Sequence, residues 1–256
     1  MTFSPAHITA LATHPVKGLT AHPLQVTTLQ AKAVFPLDRA YAIENGPCGF
    51  DATAPKHIAK NKFLVLARFA DVAQVKCTYD LETKTVTLSK PAAADVTLSL
   101  DTKDGQEQLA AYFTEHMGNK AAGPLKVLHC DNHAFTDTAE NLVHVVNLAS
   151  VKALSQAVGT ELDPKRFRAN IYVEGLPAYE EFNWEDKKIR SSSGVEFRFV
   201  KKTRRCAAID VNPDTAERDT NINKALYDSL GHTNVGIYLE LVNGGVLSVG
   251  DTLIVE

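Results

Sequence analysis

Apolar and polar residues alternate in short runs along most of this chain, the two-residue period of half-buried β-strands. In the first half the pattern marks strands over residues 8–13, 24–29, 40–43, 72–79, 83–88 and 96–100, with Asp80-Leu81-Glu82-Thr83-Lys84 as a hairpin connection. In the second half it marks 125–128, the run through Val195, Phe197 and Phe199, 235–242, and 247–255 after a turn at Gly244-Gly245. A helical period takes over at 104–117, where Leu109, Tyr112, Phe113 and His116 share one side and Gly118 stops the helix. Two further helices are expected: one entered from a strand at His144 and ending near Gly159, and one over 219–230 bounded by Gly231. Many short strands, few helices and turn glycines predict a mainly β (α+β) fold, a β-barrel with peripheral helices. The stretch from Asn119 to Pro124 reads as the boundary between residues 1–118 and residues 119–256.

Composition narrows the class. At 256 residues with 45% hydrophobic and 22% charged residues, the chain is ordinary globular material with ample core. A net charge of -3 argues against wholesale nucleic-acid binding, so basic clusters here serve a small anion locally. Cys48, Cys77, Cys130 and Cys206 are widely spaced with no Cys-x-x-Cys pair, which suits a reducing compartment. The N-terminus lacks the basic start and apolar run of a signal peptide, and no apolar run approaches the ~20 residues that span a bilayer. The expectation is a soluble, cytoplasmic protein without a membrane span.

Candidate chemistry concentrates between Lys201 and Asp219. Lys201, Lys202, Arg204 and Arg205 precede Cys206, and neighbouring positive charge favours thiolate over thiol. A thiolate attacks electrophiles or holds a soft metal, whereas the bland alternative is a buried cysteine beside a solvated basic loop. Lys17 follows the first strand beside Gly18, which would let the backbone approach a ligand, and Arg39 follows Asp38; each also reads as an ordinary surface cation. Asn147 or Ser150 caps the helix after the strand at His144, leaving free N–H groups that attract anions. Arg168 and Asn170 alternate at a strand entrance and so are expected on one face, with Arg166 a weaker candidate. His129 and His133 stand at a spacing that is uninformative for metal binding in a loop, and Trp184 reads as packing.

Cys206, the segment Val211-Asn212-Pro213-Asp214-Thr215-Ala216-Glu217-Arg218-Asp219 and the closing Gly244-Gly245-Val246-Leu247-Ser248-Val249-Gly250-Asp251 resemble the signature of the MOSC domain, the molybdenum cofactor sulfurase C-terminal domain. Pro15-Val16-Lys17 resembles the start of the N-terminal MOSC-associated region, with Gly18 where serine is usual. Asp38-Arg39, Arg166-Phe167-Arg168-Ala169-Asn170 and Gly236-x-Tyr238 extend the likeness, which is similar to the amidoxime-reducing component and its bacterial relatives. The resemblance implies a molybdenum cofactor (Mo-molybdopterin) with Cys206 as metal ligand; pyridoxal phosphate is not expected. It implies Lys17, Arg39 and Arg168 for the phosphate, Gly18 by its backbone, and Asn170 with the Asn147 to Ser150 turn for the pterin. Tyr238 would lie near the cofactor, and Arg204 and Arg205 would bind substrate or phosphate. Arg204 stands where the family often carries a small polar residue. The implied reaction is two-electron reduction of an N-oxygenated small molecule, with electrons from a separate ferredoxin, flavoprotein or cytochrome, since no iron–sulfur segment follows Glu256. The alternatives are a cofactor carrier or sulfur-transfer protein acting through Cys206, a cysteine nucleophile with a histidine as base (His129, His133, His144 or His232), and a plain anion-binding module.

Overall fold

The structure, a computed structural model, describes residues 4–256. The first three residues of the stretch read above for a leader lie outside the described residues. Mainly β architecture results, as the alternation predicts. In chain order the elements are β1 (Ala6–Thr13), β2 (His22–Leu24), β3 (Val26–Leu29), β4 (Tyr41–Asn45), β5 (Lys76–Asp80), β6 (Thr85–Ser89) and β7 (Val96–Ser99). Then come α1 (Lys103–Met117), β8 (Leu125–His129), β9 (Val143–Asn147), α2 (Leu148–Val158), β10 (Ile171–Glu174), β11 (Ile189–Ser191) and β12 (Glu196–Arg204). The chain closes with α3 (Ile222–Leu230), β13 (Asn234–Leu241), β14 (Gly245–Ser248) and β15 (Thr252–Val255).

Seven strands form a closed barrel in the order β10-β9-β13-β12-β11-β15-β1, sealed by the β1–β10 pairing. Within it β9 and β10 run parallel and the remaining neighbours antiparallel. Closure removes the exposed strand edges that would otherwise invite pairing with other chains. The barrel interior buries Val145, Ile171, Ile237, Leu253 and the completely buried Trp184, which is core packing. Helices α2 and α3 lie on its outside, sharing Val151, Leu154, Ile222 and Leu226 with Phe167 and Tyr172. A second body, with β4 paired to β8 and β5-β6-β7 backed by α1, has its own core around Tyr41, Val86, Leu109 and Phe113. Helix α1 is capped by Thr102, whose side chain accepts from the Gly105 N–H, and it stops at Gly118 with φ 51°.

The structure departs from the sequence pattern where tertiary pairing decides. The strand expected over 24–29 is two strands, because β2 pairs with β1 while β3 pairs with β14. The strand expected from Val72 begins at Lys76, after a 3-10 turn over Ala70–Gln74. The last helix begins at Ile222, because the Asn221 side chain caps it by accepting from the Lys224 N–H. Although first in the chain, β1 joins the barrel, so the N-terminal segment stitches the two bodies together. Lys17, Gly18 and Arg39 are thereby carried to the barrel's rim. No helix among the described residues is long and apolar enough to cross a membrane.

Candidate functional site

A cleft between the barrel and the second body gathers residues from eight segments. They are the β1–β2 loop (Lys17, Gly18), the approach to β4 (Asp38, Arg39), Lys60, the loop after β8 (Asp137), β9 (His144), the approach to β10 (Phe167, Arg168, Asn170), the end of β12 (Thr203 to Cys206) and β13 (Tyr238). Its floor encloses about 110 Å³. Six cations (Lys17, Arg39, Lys60, Arg168, Arg204, Arg205) line it against two carboxylates (Asp38, Asp137), leaving four positive charges in excess. Such an excess inside a partly enclosed cleft attracts an anion.

The cations are fixed by backbone and by the two acids. Lys17 is buried and donates from Nζ to the Phe135 carbonyl at 2.8 Å and to Asp137 Oδ1 at 2.5 Å. Asp137 also faces Lys60 at 3.3 Å; burial alone would raise its pKa, but the two ammonium groups hold it below the usual carboxylate range. Asp38 accepts from the His14 backbone N–H at 2.9 Å and from the Arg39 guanidinium. Burial, with Arg39 and Arg168 nearby, pushes the pKa of His14 down to about 3, so this ring is neutral. Arg39 Nη2 donates to the Arg168 carbonyl at 3.1 Å, and Arg168 Nη1 donates to the Leu19 carbonyl at 2.7 Å. Burial and then Arg39 lower the pKa of Arg168 to about 10, which leaves it charged at neutral pH.

Two expectations about placement change here. Arg168 is not on a strand: it ends the 3-10 turn Pro164–Phe167 with φ 53°. Arg39 is likewise left-handed at φ 54°. That backbone region costs a non-glycine residue about 1 kcal/mol or more and persists only where the surroundings hold it. Arg168 and Asn170 share the cleft through this bend, not through strand alternation. Gly18 lines the cleft, but a Cβ there would stand 2.4 Å from the Leu64 carbonyl oxygen and its φ is +89°. Glycine is thus demanded by the packing of two backbone segments. Asn170 is fully buried, its Oδ1 accepting from the His144 N–H at 3.1 Å and its Nδ2 donating to the Ala12 carbonyl at 3.2 Å.

Cys206 follows β12, half-buried in the wall, with the Lys60 ammonium close to its sulfur. The cation run before it does not converge on the sulfur. Lys201 pairs with Glu140 at 3.2 Å and Lys202 sits 5.0 Å above the Phe182 ring, while Arg204 is exposed on the rim. Arg205 turns inward, with Nη2 donating to the Phe167 carbonyl at 2.8 Å and Nη1 lying 3.3 Å from His144 Nε2. Two buried polar atoms of the cleft residues have no partner, the Arg205 Nε and the Thr203 hydroxyl. Buried polar atoms are mostly satisfied in folded proteins, so these two are free to meet a group that enters the cleft.

The Asn147 and Ser150 expectation is corrected. Both are completely buried and line no part of the cleft. Asn147 caps α2 by accepting from the Ala149 N–H, and donates to Glu181 Oε2 at 3.0 Å; Ser150 donates to Glu181 Oε1 at 3.0 Å. A buried carboxylate demands such donors, and these residues supply them. Arg166 is drawn away too, paired with Asp219 at 2.7 Å and bonded to the Ile209 carbonyl, so it fastens the loop after Cys206. His129 stacks on Tyr41 at 4.4 Å, and His133 lies against Phe50 and Phe135.

Sequence reading missed Lys60, Asp137 and Thr203, and held His144 only as a general base candidate. Lys60 and Asp137 stand in aperiodic loops that offered no signal. Thr203 is buried near the end of β12, whose register shifts between Phe199 and Lys201 and again between Lys202 and Arg204, so strand alternation could not flag it.

The MOSC domain model matches residues 114–254, and the MOSC N-terminal beta barrel domain model matches residues 5–124. The chain is similar to a protein named molybdenum cofactor sulfurase from Caenorhabditis elegans, 35% identical over 116 residues, covering 42% of this chain and 16% of the relative. It is also similar to mitochondrial amidoxime reducing component 2 from Rattus norvegicus, 29% identical over 123 residues, covering 43% of this chain and 35% of the relative. The matched region thus spans well under half the length of these relatives. A crystal structure of the YUAD protein from Bacillus subtilis superposes with a TM-score of 0.48 at 12% identity, covering 100% of this chain and 98% of that one. With both family models accounting for consecutive halves of the sequence, this chain belongs to the MOSC domain family, its MOSC domain preceded by a MOSC N-terminal beta barrel domain.

Proposed function

We propose that this protein holds a molybdenum cofactor in the cleft and reduces N-oxygenated small molecules of the hydroxylamine or amidoxime type. The observation that carries this reading is the convergence of surplus positive charge, the two unpartnered atoms of Thr203 and Arg205, and the Cys206 sulfur on one small cavity. These residues fit a group that is anionic at one end and needs a soft donor at its metal. Arg39, Arg168 and Arg205, with Lys17 and Lys60, would hold the phosphate; Thr203 and Tyr238 would meet the polar edge, and Cys206 would ligate the metal. When bound, the cofactor supplies a redox centre that passes an electron pair to an N–O bond.

The chain's own residues bind, orient and keep charge in place. Lys17, Asp137 and Lys60 form a fixed ion array, and neutral His144 supports Arg205 without adding charge. For a hydroxylamine the balance is R–NHOH plus two electrons and two protons giving R–NH2 and water: the N–O bond breaks, nitrogen and oxygen each gaining one proton. The electrons come from a separate donor protein, a ferredoxin, flavoprotein or cytochrome. Four free cysteines support a reducing, cytoplasmic setting. A second reading, a cofactor carrier or sulfur-transfer protein, draws on the likeness to proteins named molybdenum cofactor sulfurase.

Elemental analysis tests the first step. Wild type purified from a cofactor-competent host carries molybdenum, Cys206→Ala falls to background, and Thr203→Val carries less at unchanged thermal stability, because its hydroxyl has no partner to lose. Equal metal in all three sinks the assignment. Turnover of hydroxylamine with an artificial reductant separates reductase from carrier.

A further inference from the structure

Residues 211–219, part of the motif that marks this sequence, fold as a tight hairpin whose side chains the cleft does not use. The Asn212 N–H donates to the Glu217 carbonyl at 2.7 Å, and Val211 bridges Arg218 at the base. Asp219 fastens that base to the barrel, accepting from Arg166 Nη2 at 2.7 Å and from Asn212 Nδ2 at 2.8 Å. From this anchored base the Arg218 guanidinium reaches in two directions. Its Nη1 donates at 2.5 Å to the carbonyl of Ala207, the residue after Cys206. Its Nη2 donates to the carbonyls of Leu66 and Ala67 in the second body, at 2.7 and 3.0 Å. Leu66 and Ala67 line the cleft, and they continue from the Leu64 carbonyl against which Gly18 packs. Cys206 is thus held on both sides in the chain. Before it, the Arg205 N–H donates to the Thr233 carbonyl at 2.8 Å; after it, Arg218 grips Ala207.

We propose that Arg218 is a positioning residue, which sets the Cys206 sulfur at a fixed span from Lys17 and Gly18 so that one ligand meets both. The inference rests on the proposed cofactor reading and adds the residue that keeps the two ends of the site in register. Three observations carry it. Carbonyls from the barrel side and from the second body converge on one guanidinium, whose rigid planar fork serves several acceptors at once. Bonds from a charged donor are roughly twice as strong as neutral ones, so this contact holds the segments it joins. Arg218 itself lines no part of the cleft, so it acts on a ligand only through Ala207 and the 66–67 turn. Lys76 supplies the contrast. It also crosses from the second body to the hairpin, but it donates to the Pro213 and Asp214 carbonyls at the tip, away from Ala207.

The test compares wild type with Arg218→Gln, Arg218→Lys and Lys76→Met; Arg218 is exposed, so its substitutions leave the core intact. In cofactor-free protein, alkylation by iodoacetamide at fixed pH is followed on the Cys206 peptide by mass spectrometry, beside amide hydrogen exchange. Arg218→Gln alkylates Cys206 on the order of tenfold faster, with faster exchange confined to residues 203–210 and 64–67. Arg218→Lys lies between, and Lys76→Met matches wild type at Cys206. In cofactor-loaded protein, Arg218→Gln releases molybdenum faster on dialysis. An unchanged alkylation rate, or unchanged molybdenum release, in Arg218→Gln overturns the proposal. So does equal acceleration in Lys76→Met, or exchange raised along the whole chain, because Arg218 then only stabilises the fold. Molybdenum absent from wild type sinks the cofactor reading instead, and the alkylation comparison still decides whether Arg218 holds Cys206.

Discussion

Nη1 of Arg205 lies 3.3 Å from Nε2 of His144. A guanidinium has only donors, so the imidazole must accept at Nε2 and carry its proton on Nδ1. Burial, then Arg205 and Arg39, lower the pKa of His144 well below its ordinary value.

The expected outcome is a His144 ring that stays neutral, as the Nδ1–H tautomer, from about pH 8 down to about pH 5, where an ordinary histidine titrates. Nitrogen NMR of histidine-labelled protein reads both tautomer and midpoint. The sign for stability follows. The unfolded ring takes up a proton near its ordinary pKa and the folded ring refuses it, so this contribution is present above about pH 6.5 and lost as pH falls below. His14, pushed to about 3, acts in the same direction. A His144 midpoint at the ordinary value would refute the acceptor geometry.

Glu181 behaves oppositely. Completely buried beneath Asn147 and Ser150, its carboxyl has a pKa raised to about 7 by burial. The folded protein therefore prefers the neutral acid: that stability is complete below about pH 4.5 and lost as pH rises through about 7. Glu181→Gln removes the ionisation. Chemical denaturation at about pH 8.5 finds the variant more stable than wild type by on the order of 2 kcal/mol, with the gain gone near pH 5. A variant less stable at both values contradicts the buried-acid account.

Gly18→Ser would install the residue usual at this place in the family, yet the structure predicts a loss. The new Cβ meets the Leu64 carbonyl oxygen at 2.4 Å, on a backbone with φ +89°. Denaturation shows a destabilisation of roughly 2 kcal/mol, from steric strain plus left-handed backbone. Unchanged stability means that the 18 and 64 segments separate more easily than their packing indicates.

Alternation and glycine placement were enough to read a mainly β fold, because the strand period and helix stops are written locally. α1 was legible from Leu109 and Phe113 to Gly118 for this reason. Cys206, Arg39, Arg168 and Tyr238 stood out by residue type and spaced motif, and all four reach the cleft. The pairing of β3 with β14 was not legible, since a strand's partner some 220 residues away leaves no local trace. Asn147 and Ser150 were misplaced for a related reason. A capping pattern shows that a helix begins, but not that Glu181 waits above it.

What the sequence determined alone was therefore chemical inventory and periodicity: which side chains exist, and where strands and helices run. What the tertiary structure decided was convergence. Lys60, Asp137 and Thr203 entered the site only when barrel closure through β1 and β10 brought distant loops to one rim. Lys201 and Lys202 left it because their strand directed them to Glu140 and Phe182 instead. Side-chain direction and long-range contact are properties of the closed barrel, so no local stretch of sequence could state them.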